Sequence, residues 1–329
     1  MNLIGIDIGG THTRVGLVTT GGKIIDQRRV LTRPERGSLA AVDELIGLIQ
    51  SLTVDVQSSF DGIGIAVTGP VDIQSGIVDN PYTLPGWGPT NLANPLREHF
   101  GVPVEIENDA NAAALGEWWR GAGRHSRRLA VVTIGTGIGV GLLVDGALQR
   151  KPDGKHGEAG HHVIDPDGPL CYCGARGCWE MLAAGPAVVR IAREVGYFKD
   201  ADAHGASAAE PQYALADAVI KGALAGDPAA IRILEPIANW VGLGIVNAVA
   251  FFTPDTVLLG GGIGARCFAL METSIRSVLK QHAAFVPTNV DLATTQTGDD
   301  AGVLGAAWIV RAGATGTNNP HSRRTGPND

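Results

Sequence analysis

Two stretches of the chain share one pattern of apolar and polar positions. Each has a short apolar run, a turn of glycine and threonine, and a second apolar run; the stretches are Leu3 to Val18 and Leu129 to Gly146. Short apolar runs joined by glycine turns are typical of β-hairpins. We therefore predict strand, turn and strand in each stretch, followed by a third strand from Lys23 to Leu31. The repetition indicates a distant internal duplication with one glycine-rich turn in each half.

Other segments carry apolar residues at helical spacing or in short continuous runs. Ser38 to Gln57 is predicted to be a helix with Ser38 as its N-cap. Further helices are predicted at Thr90–Phe100, Pro186–Val195, Gln212–Leu224, Pro228–Phe252 and Leu270–Gln281, and a last one begins near Asp300. Further strands are predicted at Ile63–Val67, Val102–Glu107, Val257–Ile263 and Val290–Thr294. Strands and helices thus alternate along the chain.

Composition bounds the class of protein. The chain has 329 residues, 44% of them hydrophobic, and a formal net charge of -7. This length favours two domains. The acidic balance indicates neither a nucleic-acid-binding nor a membrane-binding surface. We predict no signal peptide, and the expected compartment is a reducing cytoplasm. The polar segment 314–329 is predicted to be a disordered tail.

Three of the four cysteines cluster in the segment 156–180. Cys171, Cys173 and Cys178 have a C-x-C-x4-C spacing, and His161 and His162 lie just upstream. Thiolate and imidazole are the usual ligands of tetrahedral zinc, and a structural site takes four. Clustered cysteines in a chain without an export signal favour a metal over the alternatives, which are small buried cysteines or a disulfide. Either histidine can supply the fourth ligand.

The glycine turns have the character of anion sites. Gly9 and Gly10 allow backbone N–H groups to approach an anion, and Thr11 adds a hydroxyl. Asp7, at the end of the preceding strand, is placed to hold Mg²⁺ directly or through water. The alternative is a plain hairpin turn. The glycines at 135–139 lead into a strand rather than a helix, which excludes a dinucleotide-binding fingerprint. The glycines at 260–262 form a third turn suited to close contact with a nucleotide.

A polar pair follows the strand that ends at Glu107. Asn108 and Asp109 open an alanine-rich segment that is predicted to be a helix. Asn and Asp are both good N-cap residues. The alternative is a catalytic carboxylate placed between two domains, and sequence position alone does not decide between them.

Five motifs, taken in order, resemble the ROK family, which contains repressors, open reading frames and sugar kinases. They are D-I-G-G-T at 7–11, E-N-D-A-N at 107–111, G-T-G-I-G at 135–139, E-A-G-H at 158–161 and C-x-C-G-x-x-G-C-x-E at 171–180. The resemblance extends to about residue 312. It implies an α/β, actin-like (hexokinase-type) duplicated two-domain fold with a central cleft. The small domain would comprise 1–118 plus 300–313, and the large domain 119–299.

The resemblance also implies roles for individual residues. Asp109 would be the general base on the sugar hydroxyl. The hexose would be bound by Gly69, Asn80, Asn108, Asp109, Glu158, His161 and Glu180. ATP and Mg²⁺ would be bound by Asp7, Gly9, Gly10, Thr11, Gly135, Thr136, Gly137, Gly139, Gly261 and Gly262. A structural Zn²⁺ would be held by His161, Cys171, Cys173 and Cys178, with His162 left outside the ligand set.

The implied activity is ATP-dependent phosphorylation of a hexose at the 6-hydroxyl, with glucose as the first choice. An N-acetylmannosamine or N-acetylglucosamine kinase is the next expectation, and a fructokinase the third. From a different class, a non-catalytic sugar-sensing regulator would share the fold, and a purely structural zinc module would leave the glycine turns unexplained. We expect hexose and ATP as partners, no nucleic acid or membrane, and a homo-oligomer, either a dimer or a tetramer.

Overall fold

The computed structural model describes residues 1–150, 157–198 and 212–314. Its first five-stranded sheet has the order β3-β2-β1-β4-β8. The strands are β1 (Asn2–Ile8), β2 (His12–Thr19), β3 (Ile24–Leu31), β4 (Ile63–Val67) and β8 (Val104–Asn108). β2 is antiparallel to both β1 and β3, whereas β1, β4 and β8 are parallel. The carboxyl ends of these three strands therefore meet at one edge of the sheet.

The second five-stranded sheet has the corresponding order, β11-β10-β9-β12-β13. Its strands are β9 (Arg128–Ile134), β10 (Ile138–Val144), β11 (Ala147–Leu148), β12 (Thr256–Gly260) and β13 (Asp291–Thr294). β12 runs parallel to β9 and β13, and β10 is antiparallel to β11. In each sheet the first two strands flank a glycine-rich turn, and the first of them also runs parallel to a later strand, which agrees with the predicted duplication. A small third sheet contains β5 (Val71–Asp72), β6 (Ile77–Val78) and β7 (Thr90–Asn91).

Nine α-helices lie in the described residues. They are α1 (Ser38–Asp55), α2 (Ala93–Phe100), α3 (Asp109–Arg120), α4 (Trp179–Ala183), α5 (Gly185–Glu194), α6 (Gln212–Leu224), α7 (Pro228–Phe252), α8 (Gly261–Gln281) and α9 (Ala301–Ala314). The bounds of α6 and α7 are the predicted ones. The helix α4 was not predicted, and the remaining helices were predicted with somewhat different ends, of which α8 shows the largest difference.

Two details of the predicted helices are wrong. Ser38 is the first residue of α1 and Gly37 occupies the N-cap position, so Ser38 is not the cap. The helix predicted from Leu270 begins at Gly261, directly after β12. The residues Gly261 to Ile263, predicted as strand and turn, thus form the first turn of a helix.

Contacts between Cα atoms divide the chain into two compact units. Unit 1 comprises residues 1–125, 141–156 and 299–329, and unit 2 comprises residues 126–140 and 157–298. The domain boundaries implied by the family resemblance stay a prediction. The predicted tail, apart from Ala314, lies outside the described residues.

The core of unit 1 is built around the first sheet. α9, the last described helix, packs against β1, β4 and α3. Two glycines allow this close approach, because a Cβ atom at Gly5 would collide with the carbonyl oxygen of Val303 and one at Gly64 with that of Ala306. The sheet thereby receives a helix from the end of the described chain on one face, while α1 contributes Val42, Leu45, Ile49 and Leu52 to the core.

The long helix α7 forms much of the core of unit 2. By length and composition alone it would suffice to cross a membrane, but 61% of its most apolar stretch is buried within the protein. Its Gly244 lies against the ring of Trp179, and the indole Nε1–H of Trp179 donates a hydrogen bond to the carbonyl oxygen of Trp240 at 2.9 Å. These contacts anchor α4, the helix that ends the cysteine-rich segment, on α7.

Candidate active site

In unit 1, the parallel strands bring three polar segments to one edge of the sheet. Ile8 is paired with Val67, and Val67 with Asn108, so the segments that follow β1, β4 and β8 start side by side. They begin with Gly9, Thr68 and Asp109. Parallel strands commonly present binding residues at their carboxyl ends. The register therefore gathers the predicted unit 1 residues, which lie far apart in sequence.

The turn after β1 is tightly closed. The backbone N–H of Gly9 donates to the carbonyl oxygen of His12 at 3.0 Å, and the Thr32 hydroxyl donates to the carbonyl oxygen of Gly9 at 2.6 Å. A Cβ atom at Gly10 would lie 2.6 Å from the methyl group of Thr83. Thr11 is exposed at the end of the turn. The N–H of Gly9 is thus used within the turn, the Thr11 hydroxyl is accessible, and the anion site stays a prediction.

Asp7 lies at the end of β1 and is paired with a cation. Arg14, its cross-strand neighbour, approaches its carboxylate at 3.3 Å and contacts Asp299 at 2.6 Å. The Asp7 side chain is only 16% exposed. Burial, together with the charge of Asp109, raises the pKa of Asp7 to about 7, although Arg14 opposes this shift. Asp7 is thus a carboxylate whose charge is unfavourable in the protein.

Asn108, rather than Asp109, is the N-cap of α3. The Asn108 side-chain oxygen accepts hydrogen bonds from the backbone N–H groups of Ala110 at 3.0 Å and Asn111 at 3.2 Å. Its amide nitrogen donates to Asp109 Oδ1 at 3.0 Å and to the carbonyl oxygen of Gly69 at 3.4 Å. Asp109 is the first residue of the helix. The cap interpretation is therefore accounted for by Asn108, and Asn108 orients the Asp109 carboxylate.

Gly69 and Asn80 lie together beside Asn108. Asn80 is 3% exposed; its amide donates to the carbonyl oxygen of Thr68 at 3.1 Å, and its oxygen accepts from the backbone N–H of Thr83 at 3.1 Å. Gly69 has φ 85°, and a Cβ atom there would collide with the Asn80 amide. The structure thus brings together Gly69, Asn80, Asn108 and Asp109 of the predicted sugar-binding set.

Glu107 is a buried carboxylate whose role the sequence analysis missed. It is 1% exposed and accepts hydrogen bonds from the backbone N–H of Asn108 at 2.9 Å and the Asn111 amide at 3.0 Å. Arg150 lies 2.8 Å from its other oxygen. A charged residue next to last in an apolar strand is the sequence signal that would have identified it. Glu107 fixes the backbone from which Asp109 projects.

In unit 2, the second glycine turn joins β9 to β10. The backbone N–H of Gly135 donates to the carbonyl oxygen of Gly137 at 2.9 Å, and that of Gly185 donates to the carbonyl oxygen of Gly135 at 2.8 Å. Thr136 is exposed at the tip. The carbonyl oxygen of Gly139 accepts from the Thr133 hydroxyl at 3.3 Å. The turn is therefore held from both sides and leaves Thr136 accessible.

The first turn of α8 lies against this glycine turn. Gly261 has φ 77°, and a Cβ atom there would be 2.5 Å from the carbonyl oxygen of Ile134. A cavity of about 200 Å³ opens between them; it is lined by Gly135, Thr136, Gly185, Pro186, Gln212, Tyr213, Ala216, Asp217, Ile220, Gly262, Ile263 and Arg266. The N-terminus of a helix attracts anions through its N–H groups and its dipole. The cavity thus has the N-terminus of a helix at one end and apolar side chains along its wall.

The cysteine-rich segment gathers four metal-binding side chains. The ligand atoms of His161, Cys171, Cys173 and Cys178 all lie within 4.8 Å of one another. Cys173 Sγ is 3.5 Å from Cys178 Sγ, and Cys171 Sγ is 3.5 Å from His161 Nδ1. Ligands around a tetrahedral zinc ion are separated by about 3.5 to 3.8 Å. All four cysteines lie in described segments and are free, so the disulfide alternative is wrong.

His162 is directed elsewhere. Its Nδ1 lies beside the carbonyl oxygen of Ala159, its Nε2 is 3.2 Å from the Asn247 amide, and its ring packs on Trp179. Burial raises the pKa of Cys178 to about 12, whereas a backbone N–H from Ala175 lowers the pKa of Cys173. The geometry selects His161 as the fourth member of the cluster, and the four residues together can hold a metal ion.

Glu180 and Tyr172 lie beside this cluster. Glu180, in the first turn of α4, is 6% exposed, and its Oε2 accepts a hydrogen bond from the backbone N–H of Ile138 at 2.8 Å. The Tyr172 hydroxyl is 3.1 Å from His161 Nε2. Glu158 directly precedes the single helical turn Ala159–His161. Tyr172 was not predicted as a site residue, because it is the unspecified middle position of the C-x-C motif.

Comparison with protein-family models identifies the family of the chain. The ROK family model matches residues 3–313. The chain belongs to the ROK family. The predicted α/β, actin-like fold is confirmed by its similarity to solved ROK sugar kinases.

The ROK relatives include kinases and a repressor. The chain is 32% identical to a glucokinase of Halalkalibacterium halodurans over 324 residues, which covers 94% of each chain. It resembles the crystal structure of a ROK family glucokinase from Streptomyces griseus in complex with glucose and AMPPNP, with a TM-score of 0.80, 31% identity and coverage of 94% of this chain and 99% of that one. It is also 31% identical to the xylose repressor of Bacillus subtilis, covering 93% of this chain and 76% of the repressor.

Proposed function

We propose that this ROK protein is an ATP-dependent glucokinase that phosphorylates glucose at the 6-hydroxyl. The observation that carries the proposal is the carboxylate of Asp109, oriented by the N-cap residue Asn108 in a chain that matches glucokinases over nearly its full length. A carboxylate placed beside an attacking hydroxyl orients it and accepts its proton. Asp109 is accordingly assigned as the general base.

The sugar is assigned to polar groups in both units. Unit 1 offers Gly69, Asn80 and Asn108 beside Asp109, and unit 2 offers Glu158, His161 and Glu180. A buried sugar requires a hydrogen-bonding partner for each hydroxyl, because an unpaired polar group in an apolar environment is costly. Carboxylates, amides and an imidazole supply both donors and acceptors. This donor set suits a hexose.

The nucleotide is assigned to the glycine turns and the cavity of unit 2. The exposed tip of the turn at Thr136 and the first turn of α8 suit phosphate, and the cavity beside them has the apolar wall that a base requires. Gly9, Gly10 and Thr11 are assigned to phosphate in unit 1. Asp7 is assigned to Mg²⁺, whose chemistry is to neutralise phosphate charge. The residues present fit both groups, since the Asp7 carboxylate is a hard oxygen ligand and the exposed Thr11 and Thr136 hydroxyls can donate to phosphate.

The metal of unit 2 is assigned as zinc. His161, Cys171, Cys173 and Cys178 form a closed set of four soft and borderline ligands, so the ion would be structural. Such an ion holds its loop rigid, and here the loop carries His161 and leads into Glu180. We also assign the enzyme to the cytoplasm and to a homo-oligomeric state, as predicted from the sequence.

A coupled assay of ADP release tests the proposal. Glucose, N-acetylmannosamine, N-acetylglucosamine and fructose are compared at equal concentrations with ATP and Mg²⁺. We expect glucose to give the highest kcat/KM and an aldose 6-phosphate as its product. A higher kcat/KM for another hexose would reassign the substrate. Hexose binding without ADP release would instead favour the sugar-sensing regulator.

A further inference from the structure

Tyr172 makes contact with groups that the proposed function assigns to the sugar. Its hydroxyl is 3.1 Å from His161 Nε2, and its ring lies edge-on to the imidazole with centroids 5.0 Å apart. Burial raises the pKa of Tyr172, and so do the charge of Glu180 and a hydrogen bond that the hydroxyl donates to the Glu180 carboxylate. Glu158 is a further charge near this hydroxyl. One phenol thus contacts His161 and Glu180, two of the residues of unit 2 that are assigned to sugar binding.

The Tyr172 hydroxyl both accepts and donates a hydrogen bond, as a sugar hydroxyl can. His161 turns Nδ1 towards Cys171, within the metal-binding cluster, and turns Nε2 towards Tyr172. An imidazole that offers one nitrogen to a cation carries its hydrogen on the other nitrogen, so Nε2–H is a donor. A carboxylate such as that of Glu180 accepts hydrogen bonds. A hydroxyl between them accepts from His161 and donates to Glu180, which is what a sugar hydroxyl would do.

The three partners differ in their freedom to move. Glu180 is 6% exposed and is held by the Ile138 backbone N–H, and His161 belongs to the metal-binding cluster. Tyr172 lies in the cysteine-rich segment, as His161 does, but it is 54% exposed. Rotation about its side-chain bonds would carry the hydroxyl into water without moving the backbone. Of the three residues, Tyr172 is therefore the one whose side chain can rotate away.

We propose that the Tyr172 hydroxyl competes with a sugar hydroxyl for His161 Nε2 and Glu180, so that Tyr172 lowers the affinity of the enzyme for its hexose. The inference rests on the proposed function, because it takes His161 and Glu180 as sugar ligands. The single N–H at Nε2 cannot make two well-aligned hydrogen bonds, so Tyr172 turns away when the sugar binds. Tyr172 is thus a residue that sets substrate affinity.

Removal of one oxygen atom tests the competition. Tyr172→Phe keeps the ring against His161 and deletes the hydroxyl. Glucose binding is measured by calorimetry without nucleotide, and KM is measured with ATP. We expect Kd and KM for glucose to fall about threefold to tenfold, as expected for losing a modest internal hydrogen bond that the sugar must otherwise displace. The KM for ATP should not change.

A second tyrosine supplies the matched control. Tyr197 also lies in unit 2, and its hydroxyl donates to Asp227 at 2.8 Å. Tyr197→Phe removes a comparable hydrogen bond that has no assigned contact with sugar, and glucose affinity should stay at the wild-type value. The wild-type protein should also give a tyrosine difference absorbance on glucose binding, because one phenol moves into water, and Tyr172→Phe should lack this signal.

The outcomes separate this inference from the proposed function. Weaker glucose binding by Tyr172→Phe would make Tyr172 a direct sugar ligand and overturn the competition. Unchanged binding, in a variant with wild-type Tm and metal content, would overturn it as well. If the wild-type protein bound none of the tested hexoses, the proposed function and the inference would both fall. If the wild-type protein turned over normally and Tyr172→Phe bound glucose with unchanged affinity, only the inference about Tyr172 would be overturned.

Discussion

The Glu180 carboxylate accepts a hydrogen bond of 2.8 Å from the backbone N–H of Ile138. This bond joins the first turn of α4 to the glycine turn between β9 and β10. The neighbouring Gly137 leaves room for it, because a Cβ atom there would lie 2.5 Å from Glu180 Oε2. The turn assigned to phosphate and a carboxylate assigned to sugar are therefore positioned by the same contact.

Gly137→Ala should displace Glu180 and weaken glucose binding by about tenfold, as is typical of losing a charge-assisted hydrogen bond to a ligand. The glucose Kd without nucleotide provides the measurement. Gly135→Ala is the matched control in the same turn, since a Cβ atom at Gly135 would meet no described atom within 4 Å. Equal glucose affinity in the two variants would show that Glu180 is not held by this contact.

Asp109→Asn should reduce kcat by about a hundredfold or more while the glucose Kd stays close to that of the wild type. The amide cannot accept the hydroxyl proton, yet its size and position are retained. Stability should change little, because Asn108 is the N-cap. Asn108→Ala, in contrast, should lower the free energy of unfolding by about 1 kcal/mol. A kcat for Asp109→Asn near the wild-type value would leave Asp109 without a role as a base.

The raised pKa of Asp7 predicts a specific dependence of stability on pH. The native carboxyl group holds its proton up to about pH 7, whereas the unfolded one loses it near the reference value of 3.8. The unfolded state therefore binds fewer protons in this range, and the contribution of Asp7 to the free energy of unfolding falls as pH rises from about 4 to 7. Ionised Asp7 thus destabilises the fold at neutral pH.

Asp7→Asn should accordingly stabilise the protein at pH 8 by about 1 to 4 kcal/mol and by much less at pH 4. Denaturant unfolding at both values, without Mg²⁺, measures the difference. Activity should fall, since Asp7 is assigned to Mg²⁺. The same stability difference at pH 4 and pH 8 would contradict a raised pKa.

Purified protein should contain about one zinc ion per chain, as expected for a closed site of four ligands. Cys173→Ala should reduce zinc content and Tm and weaken glucose binding, because the proposed ion would fix the loop that carries His161. Cys267→Ala is the control: Cys267 is buried outside the cluster, so zinc content should not change. Protein prepared without chelator that holds no zinc would refute the assignment.

Regular apolar patterns predicted the elements most reliably. The bounds of α6 and α7 follow from their helical spacing alone, and the paired hairpins follow from their apolar runs and glycine turns. The start of α8 was missed because Gly260 to Gly262 suggested a turn. The buried residues Ile263, Cys267, Met271, Ile275 and Leu279 recur every four positions and would have revealed the helix. Gly261 is required by its contact with Ile134, not by a loop.

The candidate site was predictable where residue type limits the chemistry. Cysteine spacing predicted the metal-binding cluster, but the choice of His161 over His162 came only from the family resemblance. The N-cap at Asn108 could not be separated from Asp109, because both residue types cap helices well. Tyr172 and Arg150 were missed for another reason. Their partners are set by the tertiary structure, and no local pattern records which side chain will reach a buried carboxylate.

The packing of α9 has a consequence for the order in which the chain can fold during synthesis. Unit 1 contains the first strands of the protein, yet α9 (Ala301–Ala314) covers β1, β4 and α3. The ribosome delivers the N-terminus first, at about 5 to 20 residues per second. The sheet that contains β1 and β4 therefore has one apolar face uncovered until α9 has been synthesised. Unit 2 is complete before unit 1, so a nascent chain stalled before Ala301 would expose the first sheet to chaperones and proteases.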